Sequence, residues 1–495
     1  MFGERTIQIL ILTLYFIWGV TGIFHHELWT DEFHSWLIAS HSRTLGDLWH
    51  NIAYEGHPLG WYLILFLAAK AGLSFHVMQF IHLAVGMVCS YLILRLSPFN
   101  IIYNILIIFG GILGFEYLLL SRNYSIGLMI MLCALSMILQ KKEFWKLALV
   151  LAVLTQFNLF ATLISASLML MLFVRKYGLR FWKMERSDFL ASAVWFGGFI
   201  FFVITVKPPS DSFFFHNSVL NWSVFSEDRV RNGIKALIVY FNRAVFSKYS
   251  ITYGFERFAV LSLSSVLLFT GLTFAYLLTF AVTLRKSKPA LIFFITSLGL
   301  ISIFIFISYY PAVADRHTMS VCIILLISLI IYHSEFELSG TQRFLILLPL
   351  VSIFMYGMGA YVNDFRNEFS SAKRISEKIR DEYPETPVVS YPDYLGEAVS
   401  GYLDKDLFHL TQNDFGNYVT WKKGVADRWD EDGLEFLLNN KPKMDVLKNK
   451  TSSDLLILTW VTIPDSLCKK HHFEKLQFNE NQQTKAGDSF NVYRY

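Results

Sequence analysis

His26-Glu27-Leu28-Trp29-Thr30-Asp31-Glu32-Phe33-His34 follows directly on an apolar run from Thr6 to Phe24, and Tyr54-Glu55-Gly56-His57-Pro58 stands just ahead of the next run. A helix needs roughly 20 apolar residues to cross a hydrocarbon core about 30 Å thick, so Thr6 to Phe24 predicts a first membrane span. A carboxylate drawn toward hydrocarbon is costly. Acids set against the ends of two spans therefore call for a functional explanation, and this loop is the first place to look for chemistry.

The whole chain agrees with the membrane reading. Of 495 residues, 54% are hydrophobic and only 17% charged, too apolar for soluble domains of this length. The net charge of +4 is spread over loops and forms no concentrated basic face, which sets nucleic-acid binding aside. Cys89, Cys133 and Cys322 fall inside apolar segments and Cys468 stands alone in the polar tail, so no disulfide framework or paired-cysteine metal site is indicated. The first run has little basic character before it and leads into bulky His25-His26-Glu27, so a retained span is expected rather than a cleaved leader.

Further spans are expected at Leu59 to Ser74, Val77 to Leu96, Phe99 to Leu120, Tyr124 to Leu139, Phe189 to Val206, Phe258 to Leu284, Ala290 to Tyr310, Thr318 to Tyr332 and Phe344 to Tyr361. Phe144 to Val174 fits either one tilted helix or two short ones around Thr155-Gln156-Phe157-Asn158. The total is about 11 to 13 crossings, and hydropathy leaves their parity open between Leu59 and Val174. Basic residues mark cytoplasmic loops at Lys141-Lys142, Arg175 to Arg186 and Arg285 to Lys288. Alternation then puts the Asp31 loop (25–58), the loop 207–257, the turn before Thr318 and the tail after Tyr361 on the extracytoplasmic side. The tail, 362–495, turns polar; Ala372 to Glu382 predicts a helix, Val388 and Leu455 to Val461 predict strands, and together they make a small soluble α/β domain. The fold class expected is thus an α-helical polytopic membrane protein, residues 1–361, with a small C-terminal extracytoplasmic α/β domain.

Each candidate site residue has a plain structural reading beside the chemical one. Asp31 could accept a proton from a hydroxyl, with Glu32 or His34 tuning it, or could cap a helix running from Glu32 to Ser40. Pro58 suits a helix start and Trp61-Tyr62 an interfacial aromatic belt, which leaves Glu55 and His57 unexplained. Arg122 and Arg316 sit at membrane-edge turns where a guanidinium could hold a phosphate. The alternatives are snorkelling for Arg122 and a local pair with Asp315 for Arg316. Lys207-Pro208-Pro209, His216 and Asn221-Trp222 fit a solvated loop, and His76, His82 and His333 fit packing or interface roles. Gly110-Gly111 and Gly114 favour close helix approach.

The first span, Trp29-Thr30-Asp31-Glu32-Phe33, Tyr54-Glu55-Gly56-His57-Pro58 and Trp61-Tyr62 together resemble the GT-C membrane glycosyltransferases. More narrowly, they resemble the branch of the protein O-mannosyltransferases and the aminoarabinose lipid A transferases. Ser121-Arg122-Asn123-Tyr124 resembles that branch's Arg-Pro-Tyr-Ala element, and Asp315-Arg316-His317 an Arg-Tyr element before a late span. The likeness covers roughly the membrane region. Leu59 and Gly60 depart from the branch's second proline and its neighbour, and Leu120 stands where many relatives carry an acid.

The resemblance implies transfer of a sugar from a polyprenyl-phosphate donor to a hydroxyl of a glycan, lipid or protein acceptor, on the outer face of a bacterial inner membrane. It implies Asp31 and Glu32 as catalytic, with Tyr54, Glu55, His57, Arg122, Tyr124 and Arg316 binding substrate. A divalent metal ion is an open candidate cofactor, with Asp31, Glu32 and His57 as its candidate ligands; hard cations prefer carboxylates. The rival from the residues alone is a transporter or flippase of lipid-linked saccharides, which would place charge at the bilayer midplane and repeat its halves. A third reading makes the spans an anchor for the C-terminal domain.

Overall fold

The computed structural model describes residues 3–178, 180–213, 227–251, 263–308, 315–425, 433–478 and 490–495. Within them the chain is mostly helical and ends in a small sheet region. Eight helices among the described residues are long and apolar enough to cross a membrane: Glu4–His25, Val77–Leu96, Leu159–Tyr177, Arg186–Val206, Val266–Leu284, Lys288–Ser308, Asp315–His333 and Gly340–Arg366. Four shorter apolar helices accompany them, Leu59–Lys70, Ile101–Glu116, Tyr124–Leu139 and Phe144–Leu154. Large apolar side chains stand outward on these helices, Phe189, Val194, Phe196 and Ile204 on one of them, as lipid allows and water does not. This is the architecture of an integral membrane protein.

The polar break at Thr155 to Asn158 divides Phe144 to Val174 into two helices, Phe144–Leu154 and Leu159–Tyr177. Backbone freed at depth has to find partners inside the protein. Here Gly60 N–H donates to Gln156 O at 2.8 Å, Gln156 Nε2 donates to Gly198 O at 2.8 Å, and Asn158 Oδ1 caps the following helix through Ala161 N–H at 2.8 Å. Gly60 is required for this approach, since a Cβ there would lie 2.4 Å from Gln156 O. The helix expected to run from Leu59 to Ser74 stops at Lys70, where Gly72 turns the chain with φ +76°. Trp61 and Tyr62 are buried rather than lying in an aromatic belt. A second close approach joins Gly357 of helix Gly340–Arg366 to the π-helical turn Gly111–Glu116: a Cβ at Gly357 would lie 2.4 Å from Gly111 N.

Helix Gly340–Arg366 runs past Tyr361, so the change of character at 361 falls within a helix. After it come helix Ala372–Glu382 and a six-stranded sheet ordered β3-β2-β1-β4-β6-β5, with β1 Val388–Tyr391, β2 Leu407–His409, β3 Asp414–Gly416, β4 Leu456–Thr459, β5 Glu474–Leu476 and β6 Asn491–Arg494. β1 pairs in parallel with both β2 and β4, and the remaining pairs are antiparallel. Strand side chains alternate between faces. Val388, Leu456 and Leu458 join Ile375 and Val399 on one face, while Val389, Tyr391 and Ile457 join Phe436 and Met444 on the other.

The first of those faces continues into the membrane bundle. Helix Gly396–Leu403 lies on helix Thr30–His41 so closely that a Cβ at Gly401 would meet Phe33 Cδ1 at 2.0 Å. Tyr402 packs its ring 4.7 Å from Phe33 and donates to Leu28 O at 3.2 Å. The loop that follows the first span is therefore held between the helical bundle and the C-terminal sheet.

Candidate functional site

Helix Thr30–His41 begins with Trp29 as its N-cap, which places Asp31 in the first turn and not at the cap, the alternative reading of that residue. The side chain that reaches back to the helix start is Glu32, whose Oε2 accepts from Trp29 N–H at 3.3 Å. Asp31 is free to point elsewhere. Its Oδ2 lies 3.0 Å from Arg316 Nη2, and its backbone oxygen accepts from Arg122 Nη1. Arg316 is therefore paired with Asp31 and not with its neighbour Asp315, which instead lies 3.6 Å from Arg243 Nη2. Arg122 is buried against these partners and does not snorkel.

The side chain of Asp31 retains 34% of its exposure, enough for a hydroxyl to reach it. Burial works to raise its carboxyl pKa, but Arg122 and Arg316 outweigh burial and hold it below the usual carboxylate range. Arg122 Nη2 also stands 3.4 Å from His57 Nε2. A guanidinium has only donors, so that imidazole nitrogen accepts and the ring is neutral. Burial, then the positive charge of Arg122, push His57 down to about 3, against the pull of Asp31.

Glu32 turns away from this opening. It is fully buried, accepts from Ser121 N–H at 2.5 Å, and faces His26 Nε2 at 3.2 Å. His26 Nδ1 in turn lies 3.1 Å from Asp364 Oδ2. Burial opposes a charge on His26, yet Asp364 and Glu32 raise it to about 10. The ordering that results runs from Asp364 through His26 and Glu32 to the backbone of Ser121, the residue that carries Arg122 to Asp31.

The other expected residues fall into two groups around Asp31. Tyr124 belongs to the Arg316 side: its hydroxyl lies 2.7 Å from His317 Nε2, its ring stacks 5.7 Å from Tyr117, and Tyr117 donates to Arg316 O at 3.1 Å. Glu55 and Tyr54 belong to the other side. Glu55 Oε2 faces His34 Nε2 at 2.6 Å and accepts from Tyr62 at 3.3 Å. Tyr54 donates to Asp211 at 3.0 Å, with Lys422 Nζ 5.6 Å above its ring. Arg122, whose side of the membrane the span count left open, stands with Asp31 and Arg316 at one end of the bundle.

Asp31, Glu32 and His57 do not converge as metal ligands. Asp31 is engaged by Arg316, Glu32 by His26 and two backbone amides, and His57 by Arg122; among the described residues no group of three His, Cys, Asp or Glu side chains is arranged to hold an ion. His216 and Asn221-Trp222 lie outside the described residues. His82 is a packed residue, its Nδ1 3.1 Å from Tyr117 O, and Lys207 is exposed at the end of helix Arg186–Val206.

Sequence reasoning did not find His26 as a partner of Glu32, nor Asp364, Asp211, Glu397 and Trp421. Glu397 lies 363 residues from His34, whose Nδ1 it meets at 2.9 Å, and no spacing rule reaches that far. The one signal available was the density of histidine and acid between His26 and His57. Neither protein-family models nor curated proteins include a match to this chain.

Proposed function

We propose that the chain is an integral-membrane glycosyltransferase of the GT-C kind, moving a sugar from a polyprenyl-phosphate donor to an acceptor hydroxyl on the extracytoplasmic face. The observation that carries the reading is Asp31 at one end of the bundle, its partly exposed carboxylate paired with Arg316 and its backbone oxygen accepting from Arg122. An acid beside two guanidinium groups at one end of the bundle suits glycosyl transfer from a lipid phosphate. A transporter would place its charges at the midplane.

In this mechanism the donor phosphate takes hydrogen bonds from Arg316 and Arg122, whose planar donors match its oxygens. The bond between the anomeric carbon and the phosphate oxygen breaks, and the acceptor oxygen bonds to that carbon. Asp31 accepts the proton of the acceptor hydroxyl, and polyprenyl phosphate leaves as the anion with its new charge met by the arginines. Glu32 is a positioning residue: through Ser121 it fixes the segment that bears Arg122. Neutral His57 accepts from Arg122 and adds no charge that would compete with the phosphate. Base assistance of this type contributes about 10²- to 10⁴-fold, and preorganised positive charge at the leaving group about 10²- to 10³-fold per donor.

The test is turnover by the purified protein in liposomes, supplied with polyprenyl-phosphate sugars and hydroxyl acceptors. Release of polyprenyl phosphate with matching gain of sugar on the acceptor supports the reading. Movement of the intact lipid-linked sugar between leaflets without transfer would replace it by a flippase.

A further inference from the structure

His34 stands three residues beyond Asp31 on helix Thr30–His41, and it is gripped from two sides. Its Nε2 lies 2.6 Å from Glu55 Oε2, and its Nδ1 lies 2.9 Å from both carboxylate oxygens of Glu397. Glu55 belongs to the loop before helix Leu59–Lys70, whereas Glu397 is on helix Gly396–Leu403 of the C-terminal region. Both carboxylates and the imidazole are almost wholly enclosed. Burial opposes a charge on the ring, but Glu397 and Glu55 raise it well above the ordinary imidazole value, while burial raises the Glu397 carboxyl in turn.

The C-terminal region closes the same corner with backbone contacts. Glu397 Oε1 also accepts from Val419 N–H at 2.7 Å, which leads the chain to Trp421, whose indole Nε1 stands 3.3 Å from His34 Nε2. Trp421 O accepts from Phe213 N–H at 2.9 Å, and Lys423 N–H donates to Asp211 O at 2.8 Å. Asp211 is the residue that holds Tyr54. A ring of contacts thus runs from Glu55 through His34, Glu397, Val419 and Trp421 to residues 211–213 and back to Tyr54.

A clamp that only fastened two regions together would not need to enclose three ionisable groups, because a buried ion pair costs desolvation that apolar packing does not. Its position is the informative feature. It fixes the first turns of the helix that presents Asp31, and with them the buried carboxylate of Glu55. Resting on the glycosyl-transfer reading, we infer that Glu397 is a positioning residue of the membrane-boundary site, acting through His34 on Glu55 and on the helix that carries Asp31. The C-terminal region is then part of the catalytic unit and not an appended module.

The test uses the full-length protein in detergent or liposomes. Glu397→Gln keeps an oxygen for Val419 N–H and replaces the second carboxylate oxygen facing His34 with an amide nitrogen; His34→Gln removes the imidazole. Misplacement near reacting groups costs rates on the order of 10- to 100-fold. Each variant should lose kcat to about that extent, with KM for the polyprenyl-phosphate sugar within about twofold, and the double variant should be no worse than the poorer single one. Wild-type kcat in Glu397→Gln, or losses that multiply in the double variant, would overturn the inference. If Glu397→Gln folds poorly, Glu397→Asp takes its place. It keeps the charge but shortens the reach to His34 by one methylene, and a lowered kcat at an unchanged KM supports the inference, whereas wild-type kcat overturns it. If the wild type itself transfers no sugar, the functional reading fails and the clamp is judged by unfolding alone. Non-additive midpoint shifts for His34→Gln and Glu397→Gln would then support coupling of the two regions, and additive shifts would overturn it.

Discussion

Arg316 Nη2 and Asp31 Oδ2 lie 3.0 Å apart across 285 residues of sequence, so the group proposed to hold the donor phosphate is paired, before any donor arrives, with the group proposed to take the proton. A phosphate that draws Arg316 away removes one of the two charges holding the Asp31 carboxyl below its usual range. Donor binding then raises the basicity of Asp31 at the step that needs it. The acid limb of kcat is expected at higher pH than the acid limb of kcat/KM, which reports the free enzyme. Superimposed limbs would show that Arg316 stays on Asp31 throughout turnover.

Arg316→Lys keeps the charge but loses the planar fork that can serve a carboxylate and a phosphate together. It should lower kcat/KM by about 10²- to 10³-fold, the range found when one preorganised donor is removed. Steady-state rates with varied donor concentration check this.

Glu32→Ala leaves His26 and Asp364 buried without the carboxylate that completes their network. Breaking a buried pair in this way costs about 3–5 kcal/mol, so the unfolding midpoint in detergent should fall steeply. Glu32→Gln, which can still accept from Ser121 N–H, should fall less and should retain more transfer. A stable, inactive Glu32→Ala would instead give Glu32 a direct chemical part.

His26 supplies a pH dependence whose sign is fixed by its environment. Its pKa is raised to about 10 in the folded chain, above the unperturbed imidazole value of about 6.5. The stabilisation is fully present below about 6.5 and is lost as pH rises through about 10. The difference in unfolding midpoint between wild type and His26→Gln should therefore shrink as pH increases from 7 to about 10. A difference independent of pH would show that His26 is neutral in the folded protein.

Much of this arrangement was legible before the structure, and the limits have physical causes. Runs of apolar residues announce spans because lipid imposes one length and one polarity; Glu4–His25 and Val77–Leu96 follow that rule. Leu59–Lys70 and Phe144–Leu154 do not, because the backbone oxygen of Gln156 is satisfied by Gly60 N–H, and its side-chain amide by Gly198 O, instead of by continued helix. Asp31, Arg122 and Arg316 stood out as charges at membrane edges. The division of labour between Asp31 and Glu32 did not, because adjacent residues on a helix point about 100° apart, and only the fold decides which of them meets the arginines. Glu397, His26 and Asp364 act through tertiary contacts that no local pattern encodes.

Gly60→Ala tests the packing account apart from the chemistry. Its methyl group would lie 2.4 Å from the backbone oxygen of Gln156, an atom that cannot rotate away, so a destabilisation of about 1–3 kcal/mol is expected. The unfolding midpoint should drop, with any remaining folded protein still transferring sugar. An unchanged midpoint would contradict the close approach.

The central claim is that Asp31 takes the proton of the acceptor. Asp31→Asn preserves size while removing the base and its charge pairing with Arg316, and sugar transfer from a polyprenyl-phosphate donor by the purified protein measures the consequence. The account predicts a loss of kcat of about 10²- to 10⁴-fold, while the variant still binds the donor lipid and keeps the wild-type unfolding midpoint within a few degrees. Undiminished turnover by Asp31→Asn would contradict it.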